Sequence, residues 1–203
     1  MEGKTIKIAD CNGLANVVTG ICIFVMAPIL LGLTTGAAAI GCLPWMLCGL
    51  PLLLIAVVLL FINGDIVSGM ANAVLTGMAL FNNIFHALRN LYCSANGYAI
   101  PDDVTRGIYM MDGFGYLAAA VFLLSIIFIS SKVNLVQAVF VCFPCVGFVL
   151  LFCAETLGMN LGILPGCCLL IFACWLIYSG IAMMLHQATG HQILKYIVAP
   201  KSN

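Results

Sequence analysis

The chain has 203 residues, of which 64% are hydrophobic and only 7% are charged, and its formal net charge is zero. About a quarter of the residues in a soluble globular domain are charged, so this composition excludes such a domain and predicts an integral membrane protein. The zero net charge also provides no basic surface for nucleic acid.

Six apolar segments predict six transmembrane helices, because each has close to the ~20 residues that a helix needs to cross the hydrocarbon core. Their bounds are about 14–33, 45–62, 70–88, 114–130, 133–155 and 162–185. The expected fold class is therefore all-α, a six-transmembrane-helix bundle that forms a single membrane domain over residues 1–203. Lys4 and Lys7 precede the first segment, which is longer than the apolar part of a signal peptide, so we interpret it as an uncleaved span.

The only long polar stretch, 89–113, separates the third and fourth segments and is predicted to be a loop. Within it, Pro101, Asp102 and Asp103 favour the start of a short surface helix. Six spans place both termini on one side of the membrane, and five Lys lie on that side against two Arg on the other. These are Lys4, Lys7, Lys132, Lys195 and Lys201 against Arg89 and Arg106. The positive-inside rule then predicts cytoplasmic termini, with a cytoplasmic tail at 186–203.

Most of the 11 Cys lie inside the apolar segments, where Cys acts as a small hydrophobic residue, so no disulfide framework is predicted. Cys11 and Cys93 are the two that we expect to be exposed. Cys142 and Cys145 have the spacing of a metal or redox pair, but neither a second pair nor a nearby His accompanies them. We therefore predict no metal, no cofactor and no enzymatic activity.

The fifth segment carries polar and helix-disturbing residues that a helix surrounded by lipid would not need. Gln137 lies near its start, Phe143 and Pro144 lie at its midpoint, and Glu155 ends it. A proline removes a backbone donor and leaves a carbonyl that needs another partner inside the membrane. This helix is therefore expected to face protein or a pore.

The third segment carries a polar stripe, because Asn72, Thr76, Asn83 and His86 are separated by four, seven and three residues. Amides and hydroxyls also form hydrogen bonds between transmembrane helices, so both pore lining and interhelical bonding are open interpretations. No Lys or Arg lies near the middle of any segment, which argues against a strongly charged site at mid-depth. Further uncharged candidates for a solute pathway are Asn16, Thr19, Tyr116 and Gln137.

Several residues have the spacing of a known family of membrane proteins. They are Gln137, Gly166, Tyr178 and Gly190 in the last third of the chain, Tyr116, and the turn Asn63-Gly64-Asp65. With these residues the chain resembles the acetate uptake transporter family, the six-span succinate–acetate/proton symporters grouped with the yeast ammonia/acetate exporters. It resembles a divergent member, since only Gly13-Leu14 remains of the family motif N-P-A-P-L-G-L and the Gln and Glu late in the second span are replaced by apolar residues.

The resemblance implies a homo-hexamer with one pore per protomer, narrowed by side chains at Val17, at Leu75 or Thr76, and at Phe143. It implies a transporter or channel for a small monocarboxylate such as acetate, proton-coupled or channel-like, in the plasma (inner) membrane of a prokaryote. The expected partners are thus a small carboxylate, the lipid bilayer and further copies of the chain. Two alternatives stay open, namely a channel for a small neutral solute such as urea, an amide or ammonia, and a structural membrane protein that conducts no solute.

Overall fold

The computed structural model describes residues 10–194, which form helices and no strand. The α-helices are α1 (Asn12–Leu30), α2 (Leu43–Ile62), α3 (Ile66–Val74), α4 (Asn82–Asn96), α5 (Asp102–Val133), α6 (Leu135–Leu157) and α7 (Leu164–Thr189). A 3-10 helix, Gly36–Cys42, precedes α2, and a π-helix, Leu75–Phe81, joins α3 to α4 without a break. The predictions about the terminal Lys residues at 4, 7, 195 and 201, and about the tail from 195 onward, lie outside the described residues.

The all-α bundle predicted from composition is confirmed. Five helices are long and apolar enough to cross a membrane, and they are Asn12–Leu30, Ala38–Ile62, α5, α6 and α7. The predicted third span corresponds to α3, the π-helix and α4 together, which we call the composite helix (66–96). It begins where the carboxylate of Asp65 accepts a hydrogen bond from the backbone N–H of Ser68 at 3.1 Å, an N-cap that satisfies one of the free amides of the first turn.

The predicted loop at 89–113 is wrong, because most of this stretch is helical. The composite helix continues to Asn96 and ends at Gly97, whose φ of +66° favours glycine, and α5 begins at Asp102, so only residues 97–101 connect them. The expected short surface helix is the first turn of α5, which runs on to Val133. Hydropathy marked only the apolar middle of each helix, whereas the helices continue through polar turns beyond it.

Residues 131 and 132, which lie between the fourth and fifth predicted segments, are also helical, and Asn134 alone joins α5 to α6. Its extended backbone breaks the helix, and its side-chain oxygen accepts hydrogen bonds from the backbone N–H groups of Val136 (3.1 Å) and Gln137 (3.3 Å). This cap lets two long helices meet with a single residue between them.

The first and last helices, α1 and α7, run antiparallel and touch through their backbones. A Cβ atom placed on Gly20 would lie 2.9 Å from the carbonyl oxygen of Ala173, and one on Gly180 would lie 2.6 Å from that of Gly13. Small residues permit this approach, as expected where lipid supplies no hydrophobic drive between helices. The start of α1 and the end of α7 therefore lie in the same half of the bundle, here called the terminal half; the opposite half is called the distal half.

Helices α5, α6, α7, α1 and α2 pack side by side in that order, and the composite helix packs on α2. Among the described residues, the composite helix closely approaches α5 only through α3. The ring of helices is thus loosely closed between the π-helix and α4 on one side and α5 on the other. A cavity occupies this position.

Candidate solute pathway

The cavity between the composite helix and α5 has a volume of about 350 Å³. It extends from the distal half to mid-depth, and Phe148 of α6 forms its back wall. The described residues that line it are Val74, Leu75, Gly77, Phe81, Asn82, Phe85, Met111, Asp112, Gly115, Tyr116, Ala119, Leu123 and Phe148. Three of these carry polar side chains, so the cavity is mainly apolar.

Two aromatic pairs face this space from different walls. The rings of Phe81 and Phe85 stack on the composite helix with centroids 6.5 Å apart. Tyr116 of α5 stacks on Phe148 of α6 with centroids 5.8 Å apart and an angle of 14° between the rings. Aromatic rings therefore form part of the cavity wall on more than one side.

A polar cluster lies at the distal end of the cavity. The side chain of Asp112 accepts a hydrogen bond from the amide of Asn82 at 3.4 Å, and its other oxygen lies 3.0 Å from Nε2 of His86. Glu155, near the end of α6, is close enough to Asp112 for their charges to interact. Asp112 thus connects the composite helix to α5 where the backbones of the two helices are apart. With Glu155, the distal cluster contains two carboxyl groups.

Leu75 marks the inner end of the cavity. It is buried, and it also lines a smaller void of about 30 Å³ between α1, α2 and the composite helix. The next residue, Thr76, is buried and donates its hydroxyl to the backbone oxygen of Asn72 at 2.6 Å. Leu75 therefore lies between the large cavity and the smaller void, whose lining includes Thr19.

Thr19 and other polar residues form a buried network in the terminal half. Thr19 donates to the side-chain oxygen of Asn72 at 3.4 Å, and the amide of Asn72 donates to the backbone oxygen of Ser68 at 2.9 Å. The amide of Asn16 donates to the hydroxyl of Ser179 at 3.5 Å, which links α1 to α7. All of these side chains except that of Ser68 are buried. The network fills the terminal half, so the cavity is open distally and closed beyond Leu75.

The polar stripe predicted on the third segment is divided between the two ends of this path. Asn72 and Thr76 belong to the buried network, whereas His86 belongs to the distal cluster. Asn83 is half-buried, and its neighbour Asn82 lines the cavity instead. The wider turns of the π-helix rotate α4 relative to α3, so spacings counted for an α-helix do not continue across it.

Three other candidates lie between helices rather than along the cavity. A Cβ atom on Gly180 would be 2.7 Å from Val17, so Val17 packs at the contact between α1 and α7. Phe143 is half-buried and packs against Phe140, with ring centroids 6.1 Å apart. Gln137 accepts a hydrogen bond from Nε1 of Trp175 at 2.9 Å. None of the three is among the described lining residues of the cavity.

Sequence reasoning missed Asp112, the residue with most partners in the distal cluster, because 89–113 was interpreted as a loop. One signal was present, since Asp112 precedes Tyr116 by four residues and therefore lies on the same face of a helix. Phe148 was also missed, although it lies within the predicted fifth segment. It follows Pro144 by four residues, on the face of α6 that both share, and this face points into the bundle.

The two Cys expected to be exposed, Cys11 and Cys93, are partly buried, whereas Cys48, Cys142 and Cys174 are exposed on the outside of the bundle. Cys145, three residues from Cys142, is buried and donates its Sγ–H to the backbone oxygen of Ala120 at 3.5 Å. The two sulfurs of the C-x-x-C spacing therefore lie in different environments.

The sequence matches no family model and no curated protein sequence. A solved structure of the bacterial acetate channel SatP is similar to this chain with a TM-score of 0.74 and 18% identity, over 95% of this chain and 100% of that one. The chain has the fold of this channel. The expected architecture is therefore confirmed along almost the whole sequence, and at this identity the likeness to SatP concerns the fold.

Proposed function

We propose that the protein is a membrane channel or transporter for a small monocarboxylate such as acetate, with proton-coupled or channel-like passage. The observation that carries the proposal is the position of Leu75, which lines both the large cavity and a smaller void whose lining includes Thr19 of the buried network. The SatP fold supports it, because that protein is an acetate channel.

The charges along this path favour passage of the neutral acid. A carboxylate anion that approaches the distal end meets the carboxyl groups of Asp112 and Glu155. Beyond them, the cavity wall is mainly apolar, and transfer of an unpaired charge into such surroundings is very costly. A protonated acid avoids both penalties and can exchange hydrogen bonds with Asn16, Thr19 and Asn72 in the terminal half.

In this proposal Leu75 is the narrowest apolar point, next to Thr76, and the aromatic pairs remove water from the solute before it arrives. Phe143 and Val17 then stabilise the packing between helices. Assembly as a homo-hexamer with one pore per protomer, residence in a prokaryotic plasma membrane and cytoplasmic termini remain part of the proposal.

The test is uptake of labelled acetate into proteoliposomes, with the rate of empty liposomes subtracted because acetic acid crosses lipid. We expect Leu75→Ala to raise the protein-dependent rate and Leu75→Phe to lower it. Leu88→Ala is the matched control, because Leu88 lies on the same composite helix, is exposed and does not line the cavity. Opposite signs at position 75 cannot arise from general loss of folding. Absence of flux above that of empty liposomes refutes the proposal.

A neutral solute such as urea, a short amide or ammonia is the second candidate. The observation that favours it is the buried network, whose described members are all uncharged. Acetate uptake should fall as the external pH rises above the pKa of the acid, whereas flux of urea or an amide should not follow that pKa. A structural protein without a conducted solute would show flux of neither class.

A further inference from the structure

We propose that the large cavity binds neutral monocarboxylic acids of about six carbon atoms, such as hexanoic acid, more tightly than acetic acid. The carboxyl group lies at Asp112 and Asn82, and the tail lies between the two aromatic pairs. This inference rests on the proposed function, since the cavity is part of the same path, and it narrows the substrate class.

The size of the cavity is the first reason. An apolar cavity of roughly 150 Å³ accommodates benzene, which has six carbon atoms. The present cavity, at about 350 Å³, exceeds this and would be mostly unfilled by acetic acid, which has only one methyl group. A poorly filled apolar cavity loses contacts that a longer solute would make.

The distribution of polar and apolar groups is the second reason. Asp112 and Asn82 lie at the distal end, whereas Phe81, Phe148 and Leu123 line the deeper part. A ligand that fits this pattern has one polar end and one apolar end. Few polar groups in a mainly apolar site are the usual means of orienting a small ligand.

The opening of the cavity is the third reason. Phe85 of α4 and Met111 of α5 both line the cavity, and their exposed fractions are 64% and 76%. Apolar side chains therefore flank the opening between the two helices. A solute with an apolar tail therefore contacts apolar side chains as it enters the cavity.

The charged and titratable groups near the polar end determine which form of the acid binds. They are His86 and Arg89 from α4, Asp112 and Tyr116 from α5, and Glu155 from α6. Arg89 is half-buried and is not among the described lining residues of the cavity. The O–H of a neutral acid can donate a hydrogen bond to Asp112, which an anion cannot do.

Two glycines allow the cavity to be filled without a clash. A Cβ atom on Gly115 of α5 or on Gly77 of the π-helix meets no atom within 4 Å, and both glycines line the cavity. Gly115→Leu and Gly77→Leu therefore place a side chain in the cavity from opposite walls. Gly107→Leu is the matched control, because Gly107 also lies in α5, also has open space around its Cβ position, and does not line the cavity.

The experiment measures binding of labelled hexanoic acid and labelled acetic acid to the full chain in lipid nanodiscs, with empty nanodiscs subtracted. Each buried methylene group strengthens binding about fourfold, so we expect hexanoic acid to bind on the order of a hundredfold more tightly than acetic acid. Binding should weaken above the pKa of the free acid. Gly115→Leu and Gly77→Leu should each weaken it at least about tenfold, since the added side chain occupies the volume of the tail, while Gly107→Leu leaves it unchanged.

Equal binding of the two acids overturns the inference, as does an equal effect of the three Leu variants. Tighter binding of hexylamine than of hexanoic acid also overturns it, because the site would then select a cation for its carboxylates. Acetate flux without hexanoic acid binding refutes this inference and leaves the proposed function standing. Hexanoic acid binding without acetate flux refutes the proposed function and leaves this inference standing.

Discussion

Gly20→Ala tests the close contact between α1 and α7, on which the whole bundle depends. The new Cβ atom would lie 2.7 Å from Cγ1 of Ile177, 2.9 Å from the carbonyl oxygen of Ala173 and 3.0 Å from the backbone nitrogen of Ile177. Two of these three atoms belong to the backbone, so α7 must move away from α1. Overpacking of this kind typically costs about 1–3 kcal/mol.

Part of this cost is offset, because alanine favours a helix over glycine by up to about 1 kcal/mol. The net loss is then about 1 kcal/mol at the middle of the range. For a chain of this length a loss of 1 kcal/mol lowers the Tm by about 2–4 °C, so we expect a decrease of about this size. Gly107→Ala has the same gain in helix propensity without the clash, and its Tm should stay the same or rise.

The assay is thermal unfolding of both variants and the wild type, purified in the same detergent. The difference between the two variants isolates the steric term, since the change in side chain is identical. A Tm for Gly20→Ala that equals or exceeds that of Gly107→Ala would refute the close backbone contact between α1 and α7.

Three further predictions concern the cap, the distal cluster and the buried network. Asn134→Ala removes the cap of α6, so we expect the Tm to fall by about 2–4 °C. Ser131→Ala is the control and should change the Tm little, because the hydroxyl of Ser131 bonds to the backbone of its own helix. Equal shifts in Tm would contradict the capping role. His86→Ala removes a partner of Asp112 and should cost about 0.5–1.5 kcal/mol in unfolding measurements, whereas His191→Ala, exposed after the end of α7, should cost little; equal costs would contradict the contact between His86 and Asp112. Thr19→Val removes the hydroxyl that donates to the side-chain oxygen of Asn72, and it should lower the free energy of unfolding by about 0.5–1.5 kcal/mol. This cost should vanish in an Asn72→Leu background. A cost that persists there would rule out the Thr19–Asn72 bond as its cause.

Composition and hydropathy were sufficient to predict the number and order of the helices, because a bilayer imposes a length and a polarity on each span. They did not predict where the helices end. The polar residues before Asp112 and after Leu88 form helical turns whose stability comes from continuity with an apolar span, and hydropathy does not detect such turns.

The polar contacts at the ends of the cavity could not be predicted from the sequence for a different reason. Asn82 and Asp112 are 30 residues apart, and only the antiparallel arrangement of the composite helix and α5 brings them together. The π-helix at 75–81 contains no proline, so the sequence carries no strong signal for the change of register that moves Asn82 to the cavity. The network around Asn72 was expected as one of two interpretations, and the structure shows it as bonding between helices.

The contact between α1 and α7 also has a consequence for the order in which the protein is made. Asn16 and Ser179, which bond across it, are separated by 163 residues, so the first helix leaves the ribosome long before its main neighbour exists. Until α7 enters the membrane, the amide of Asn16 has lipid, water or an insertion factor beside it, and none of these reproduces the tight glycine-lined surface. We therefore expect a ribosome-stalled chain that ends before α7 to be recognised as unfinished by membrane quality control, because α1 then lacks the surface against which its glycines pack.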